Sequence, residues 1–186
     1  VNPAEPVTAE VGARLVELAG QLDSGIVAID GPSGAGKSTA ADLLVAELRR
    51  RDVGVTLVRT DDFATWDDPV SWWPELEAEV LHPFSRRRDY RYRPRVWRDG
   101  VPSPGPRVWI EWQPLLIIEG VSSARRRIAD RLTYALWLEG GTAAERLERA
   151  VARDGEESRE QLEKWQQFEY GWFEVDRTRD RCVGLD

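Results

Sequence analysis

Apolar positions along the chain switch between two spacings. Val11, Leu15, Leu18 and Leu22 recur every three or four residues between Thr8 and Leu22, which predicts an amphipathic helix. Gly25–Asp30 is a short unbroken apolar run closed by an acid, and it predicts a buried strand. Helical spacing returns over 37–51, where Ala41, Leu44, Val45 and Leu48 share a face. The β-branched run Gly54–Thr60, then Leu115–Gly120, Tyr134–Leu138 and Arg181–Leu185, read as four further strands. Ser122–Leu132 reads as a helix carrying Arg125–Arg127 on a solvated face. Thr142-Ala-Ala-Glu145 is a capping box, and Ser158-Arg-Glu-Gln161 predicts a second. The latter opens a packing helix with Leu162, Trp165, Phe168 and Trp172 on one side. Strands alternating with helices predict a three-layer α/β/α domain around a parallel five-stranded sheet, spanning 1–186 as one unit.

Two stretches interrupt this alternation. Residues 1–7 are Pro-rich and read as loop. Residues 64–112 form a long insertion between the second and third strands, with a short helix near Pro74–Leu81. Tyr90, Tyr92 and Val96-Trp97 are expected to pair with 107–112 as a hairpin across Asp99-Gly100. Six of the nine Trp fall in this insertion. Aromatic clusters of this kind either pack a core or stack a ring substrate. Residues 85–99 hold seven Arg against two Asp. That block suits either a charge-rich edge hairpin or a flap presenting guanidiniums to an anion.

The decisive chemistry is Gly31-Pro-Ser-Gly-Ala-Gly-Lys37-Ser38-Thr39, set between a predicted strand and a predicted helix. That order identifies a phosphate loop. Gly31, Ser33, Gly34, Ala35, Gly36, Lys37, Ser38 and Thr39 are assigned to nucleotide binding. Glycines let backbone N–H groups turn inward toward phosphate, at a helix N-terminus that favours negative charge. Lys37 reaches the β/γ-phosphates and the Ser38 hydroxyl is a Mg²⁺ ligand. Asp61-Asp62 follow the second strand and Glu119 ends the third, where parallel sheets place their ligand crevice. Arg146, Arg149 and Arg153 share a face of the helix that starts at Thr142. His82 is the only histidine and has no partner at triad or zinc spacing.

Composition narrows the class. A net charge of −7 argues against general nucleic-acid or membrane-surface binding. No apolar run approaches membrane-spanning length, and the single cysteine, Cys182, forms no internal disulfide. A cytoplasmic location is expected, with homo-oligomerisation left open. A regulatory GTPase would need a guanine-reading lysine, and the one spare lysine lies in Glu163-Lys164-Trp-Gln.

These elements together resemble the phosphate-loop nucleoside kinases of the uridine kinase-like branch, which includes pantothenate kinase and phosphoribulokinase relatives. The matching segments are Asp30–Thr39, Thr60-Asp61-Asp62-Phe63, Ile118-Glu119-Gly120 and Arg146-x-x-Arg149-x-x-x-Arg153-Asp154. The resemblance implies a phosphate-loop NTPase fold, with 64–112 as a substrate-side flap and 146–160 as a lid. It implies ATP and Mg²⁺ as cofactors. By it, Asp61 is the catalytic acid near Mg²⁺ and the acceptor hydroxyl, Glu119 the Mg²⁺-linked acid, and Arg149 and Arg153 the lid arginines. Lys37 completes the catalytic set. The acceptor is expected against Asp62, Trp72, Tyr90, Tyr92 and Arg93. Ala64 stands where the family usually has an aromatic after Asp-x-Phe, and Tyr90-Arg91-Tyr92 with no nearby His departs from its base-reading Tyr-Asp-Phe and His. The resemblance therefore implies phosphoryl transfer to a hydroxyl of a small molecule, with a nucleoside-like acceptor as the leading class. A nucleoside monophosphate, a vitamin, a sugar or a polynucleotide 5′-hydroxyl are the alternatives.

Overall fold

The computed structural model describes residues 7–67, 69–98 and 101–185. The expected loop over residues 1–7 therefore lies, except for Val7, outside the described residues, as does the turn at Asp99-Gly100. Helix α1 (Ala9–Ala19) starts at Thr8, whose hydroxyl accepts the Val11 N–H at 3.2 Å. Strand β1 (Gly25–Asp30), helix α2 (Lys37–Arg50) and strand β2 (Val55–Arg59) follow. A single 3-10 turn, Thr60–Asp62, caps β2.

The insertion is built of short pieces. Helix α3 (Trp73–Leu76), a π turn (Glu77–Leu81) and helix α4 (His82–Ser85) run on without a break. Strands β3 (Tyr90–Tyr92), β4 (Arg95–Arg98), β5 (Val101–Pro104) and β6 (Val108–Ile110) come next. They make two separate antiparallel ribbons, β3 with β6 and β4 with β5, rather than the one hairpin expected. Pro94 separates β3 from β4, which lets the chain leave one ribbon and begin the other.

The core returns with β7 (Leu115–Glu119), β8 (Tyr134–Trp137), helix α5 (Ala143–Asp154), helix α6 (Arg159–Asp176) and β9 (Val183–Gly184). The main sheet is parallel throughout, in the order β2-β7-β1-β8-β9. Alternate side chains supply two cores. Leu115 and Ile117 pack with Val27, Ile29 and the apolar faces of α1 and α2. Leu116 and Ile118 face the other way, onto Ile26, Val58 and the aromatic side chains of the insertion. Each such Leu or Ile, fully buried, contributes about 1.5–3 kcal/mol.

Two predicted local structures are corrected. Ser122–Leu132 is not an α-helix; only Arg126–Arg131 coils, as a 3-10 helix. Asp30 captures the N–H groups of Ser122 and Ala124, and Ser122 adopts φ +71°, so a helix cannot start there. Nor is Arg125 on a solvated face. Its guanidinium lies 4.8 Å from the Trp73 ring centre and 4.9 Å from that of Trp172, between the two. The Thr142–Glu145 capping box forms as predicted. The one at Ser158 does not, because Ser158 is already helical in φ and ψ and its hydroxyl donates to the Asp154 carbonyl.

Candidate active site at the carboxyl ends of the sheet

The chain leaves β1 toward β2 on one side and leaves the adjacent β7 toward β8 on the other, and this reversal opens a crevice at the carboxyl ends of β1 and β7. The phosphate loop fills that position. Gly34 and Gly36 take φ +74° and +88°, in the left-handed region. A Cβ on Gly34 would sit 2.4 Å from the Arg146 carbonyl oxygen, so both the turn and the close approach of α5 require glycine. Lys37 is 7 % exposed and its Nζ donates to the Pro32 carbonyl at 2.8 Å, folded back across the loop. Thr39 is half-buried and Ala35 packs into the α1/α2 core.

Asp30 ties this loop to its neighbour. Its carboxyl accepts from Gly31 N–H at 2.8 Å, Ala124 N–H at 2.8 Å and Ser122 N–H at 3.2 Å. It is fully buried, and burial pushes its pKa up to about 7 against the pull of those N–H groups and of Lys37.

The acids converge as the sheet register dictates. Arg59 and Ile29 both stand opposite Glu119, which brings the ends of β2, β7 and β1 level. The Ser38 hydroxyl donates to Glu119 Oε2 at 3.2 Å, and Arg59 Nε lies 3.3 Å from the same oxygen. Burial raises the Glu119 pKa to about 7; Lys37 opposes the shift and the nearby Asp61 charge adds to it. Asp61 is exposed. Asp62 is half-buried and accepts from the Tyr92 hydroxyl at 2.8 Å; burial, above all, raises its pKa. A serine hydroxyl with two carboxylates suits Mg²⁺, which takes few protein oxygens and completes its shell with phosphate and water. No cluster of three or more His, Cys, Asp or Glu among the described residues could hold a metal alone.

The expected acceptor residues divide. Phe63 stacks between Trp72, at 5.6 Å, and Tyr92, at 5.3 Å, and Trp72 continues onto Trp73 at 5.8 Å. Trp72, Tyr90 and Tyr92 are each at most 5 % exposed, so they form the inner wall of the insertion rather than an open stacking surface. Arg93 is exposed. Arg95 pairs with Glu75 at 3.4 Å and Arg107 with Glu79 at 3.7 Å, which neutralises part of the insertion's basic charge.

The arginines expected in a lid also divide. Arg149 Nε and Nη2 donate to the Gly34 carbonyl at 3.0 and 2.9 Å, and Nη2 also bonds the Gly140 carbonyl. Arg146 donates to the Glu139 carbonyl at 2.9 Å and to the Gly141 carbonyl. Arg153 forms a two-pronged pair with its neighbour Asp154, at 2.7 and 2.6 Å.

One residue escapes the sequence reading altogether. Glu169, on α6, accepts the Ser33 N–H and hydroxyl and the Trp165 indole N–H. In sequence it is one acid in a helix rich in acids, and only its four-residue offset from Trp165 hints at an inward face. A cavity of about 560 Å³ opens beside it between α6 and β8, lined by Pro32, Trp137, Arg146 and Phe173 among others. Asp61, Lys37 and Glu119 do not line it.

By sequence, no protein-family model and no curated protein matches the chain. Solved structures do match its fold. A possible uridine kinase from Bacillus stearothermophilus superposes with a TM-score of 0.67 at 17 % identity, covering 95 % of this chain and all of that one. A candidate fructose transport system kinase from Silicibacter sp. TM1040 superposes with a TM-score of 0.60 at 19 % identity, covering 91 % of this chain and 96 % of that one. Over nearly its whole length the chain thus shares the α/β fold of these two structures, a parallel five-stranded sheet with a phosphate loop at the end of its first strand. No helix among the described residues is long and apolar enough to cross a membrane.

Proposed function

We propose that the protein is a small-molecule kinase that transfers the γ-phosphoryl group of ATP to a hydroxyl, with a nucleoside-like acceptor as the leading substrate class. The observation that carries this reading is the meeting of three elements. Ser38 of the phosphate loop bonds Glu119 at the end of β7, and Asp61 at the end of β2 lies close enough to raise the Glu119 pKa. One acid suffices to hold the Mg²⁺ that accompanies a bound nucleotide, and the second is available to take the proton of an acceptor hydroxyl.

In this reading, the loop N–H groups and Lys37 bind the β- and γ-phosphates, and Lys37 leaves the Pro32 carbonyl to do so. Ser38, Asp61 and Glu119 would hold Mg²⁺, which supplies charge neutralisation across the phosphates when bound. Asp61, exposed at the crevice, has a second carboxylate oxygen with which to accept the proton of the acceptor hydroxyl. The acceptor oxygen bonds to the γ-phosphorus as the bond to the ADP oxygen breaks. Arg149 already rests on the loop and is placed to meet negative charge as the lid closes.

The acceptor enters over β2 and β7, against the insertion that carries the Phe63–Trp72–Tyr92 stack. Pairing of Arg95 and Arg107 with acids of the same insertion favours a small acceptor over a long polyanion. ADP release measured over nucleosides, nucleoside monophosphates, sugars, vitamins and short oligonucleotides tests the reading. Turnover with one small hydroxyl class supports it. Turnover confined to oligonucleotides, with steep salt dependence, overturns the small-acceptor part.

A further inference from the structure

Glu169 lies in the body of the 18-residue helix α6, yet it is only 2 % exposed. A carboxylate removed from water needs donors, and three are supplied. Both its oxygens lie 3.1 Å from the Ser33 nitrogen. The Ser33 hydroxyl and the Trp165 indole N–H complete the set. Trp165 Nε1 is also 3.0 Å from Ser33 Oγ, so the three side chains form one closed network. Burial raises the Glu169 pKa and the Lys37 charge is the largest opposing influence, which places the loop's lysine within its field.

The residue held in this way is informative. Ser33 directly precedes Gly34, whose carbonyl is the acceptor for Arg149. α6 therefore holds the N–H of residue 33 while α5 holds the C=O of residue 34. Fixing both ends of that dipeptide fixes the peptide planes between them. The N–H groups that follow inherit their direction from those planes. Gly34 is in the left-handed region, where an unrestrained glycine has the widest choice of conformations.

We propose that Glu169 is a positioning residue of the phosphate loop: through Ser33 and Trp165 it holds residues 33–34 in the orientation that aims the loop's N–H groups at a bound triphosphate. The proposal rests on the kinase reading for its purpose, but its geometry concerns the nucleotide-free loop. Trp165 also packs edge-on against Trp66, at 5.8 Å, and Trp66 against Trp97 of β4, at 5.2 Å. The same network thus joins the loop, α6 and the insertion.

The test compares the parent with Glu169→Ala, Glu169→Gln and Ser33→Ala, by ATP calorimetry and by amide hydrogen exchange in nucleotide-free protein. Glu169→Ala is expected to weaken ATP binding about 10-fold, the effect of losing a hydrogen bond to a charged group. It should also speed exchange in a peptide covering 31–36 while α1 peptides stay unchanged. Glu169→Gln should recover most of both, since its amide oxygen still accepts the Ser33 N–H. Ser33→Ala keeps that N–H bond but loses the hydroxyl that bonds Glu169 and Trp165, so it should show part of both losses. Where Glu169→Ala fails to fold, parent-like affinity and loop exchange in Ser33→Ala would overturn the proposal. Parent-like ATP affinity and loop exchange in Glu169→Ala would overturn the proposal. So would equal losses in the Ala and Gln variants that follow melting temperature alone, or tighter ATP binding in both, which would mark Glu169 as an anion competing for the loop. If the parent binds no ATP, the kinase reading fails, while the exchange data still judge Glu169.

Discussion

The Tyr92 hydroxyl donates to Asp62 Oδ2 at 2.8 Å, and this bond separates the roles of two adjacent acids. Asp62 is half-buried and engaged with the insertion, whereas Asp61 is exposed at the crevice. Asp61→Asn is expected to lower kcat by about 10²–10⁴ with ATP affinity little changed, the range for loss of a general base. Asp62→Asn should act mainly on acceptor KM. Tyr92→Phe removes one of the donors to Asp62 and should cost roughly 1–3 kcal/mol in denaturant unfolding. A larger kcat loss at Asp62 than at Asp61 would exchange the two assignments.

Glu119 and Ser38 are bonded to each other at 3.2 Å, and in the kinase reading both would hold Mg²⁺. Glu119→Gln removes the charge and keeps the shape. The expected result is a raised Mg²⁺ requirement, read as the metal concentration giving half-maximal rate at saturating ATP. An unchanged requirement would remove Glu119 from the metal site.

The two lid arginines should behave differently. Arg149 bonds the loop carbonyl of Gly34 in the absence of nucleotide, so Arg149→Ala should weaken ATP binding as well as lower kcat. Arg153 pairs with Asp154 and is half-exposed, so in the kinase reading it would contribute only once the proposed lid closes. Arg153→Ala is expected to lower kcat with little change in ATP affinity. Comparable losses of affinity in both variants would contradict this division.

The chain's stability should depend on pH through Asp30. Burial raises its folded pKa to about 7 from an ordinary value of 3.8, so the folded protein holds a proton there that the unfolded chain releases. That contribution is fully present below the unfolded value and is lost as pH rises through about 7. Asp30→Asn cannot titrate. Its denaturant midpoint should therefore fall less between pH 5 and pH 8 than the parent's. Parallel decline in the two proteins would show that Asp30 is ionised throughout.

Much of this arrangement is legible in the sequence because it depends on local patterns. The unbroken apolar runs at 25–30 and 115–119 could only be buried strands, and Gly31–Thr39 carries its own turn chemistry. Thr142 and Glu145 cap α5 through bonds within one turn, so spacing alone reveals them. What stays hidden depends on partners far along the chain. The helix expected at Ser122 is cancelled by Asp30, 92 residues away in sequence. Arg125 leaves the solvated face because Trp73 and Trp172 meet around it. Glu169 becomes a loop residue through Ser33, 136 positions earlier. The stack of Phe63, Trp72 and Tyr92 is visible in composition, but its burial is decided by the whole insertion folding onto β2 and β7.

In the proposed kinase reading, ATP is split only to phosphorylate a hydroxyl. The most direct measurement follows ADP and labelled γ-phosphate together, with and without the acceptor found by the panel, in the parent and in Lys37→Ala. Lys37 is the cation poised in the loop, 2.8 Å from the Pro32 carbonyl. The account predicts one phosphorylated acceptor per ADP, little ADP without acceptor, and near-complete loss of transfer in Lys37→Ala. ADP formed with free phosphate at the same rate whether or not an acceptor is present, or parent-like turnover in Lys37→Ala, would contradict it.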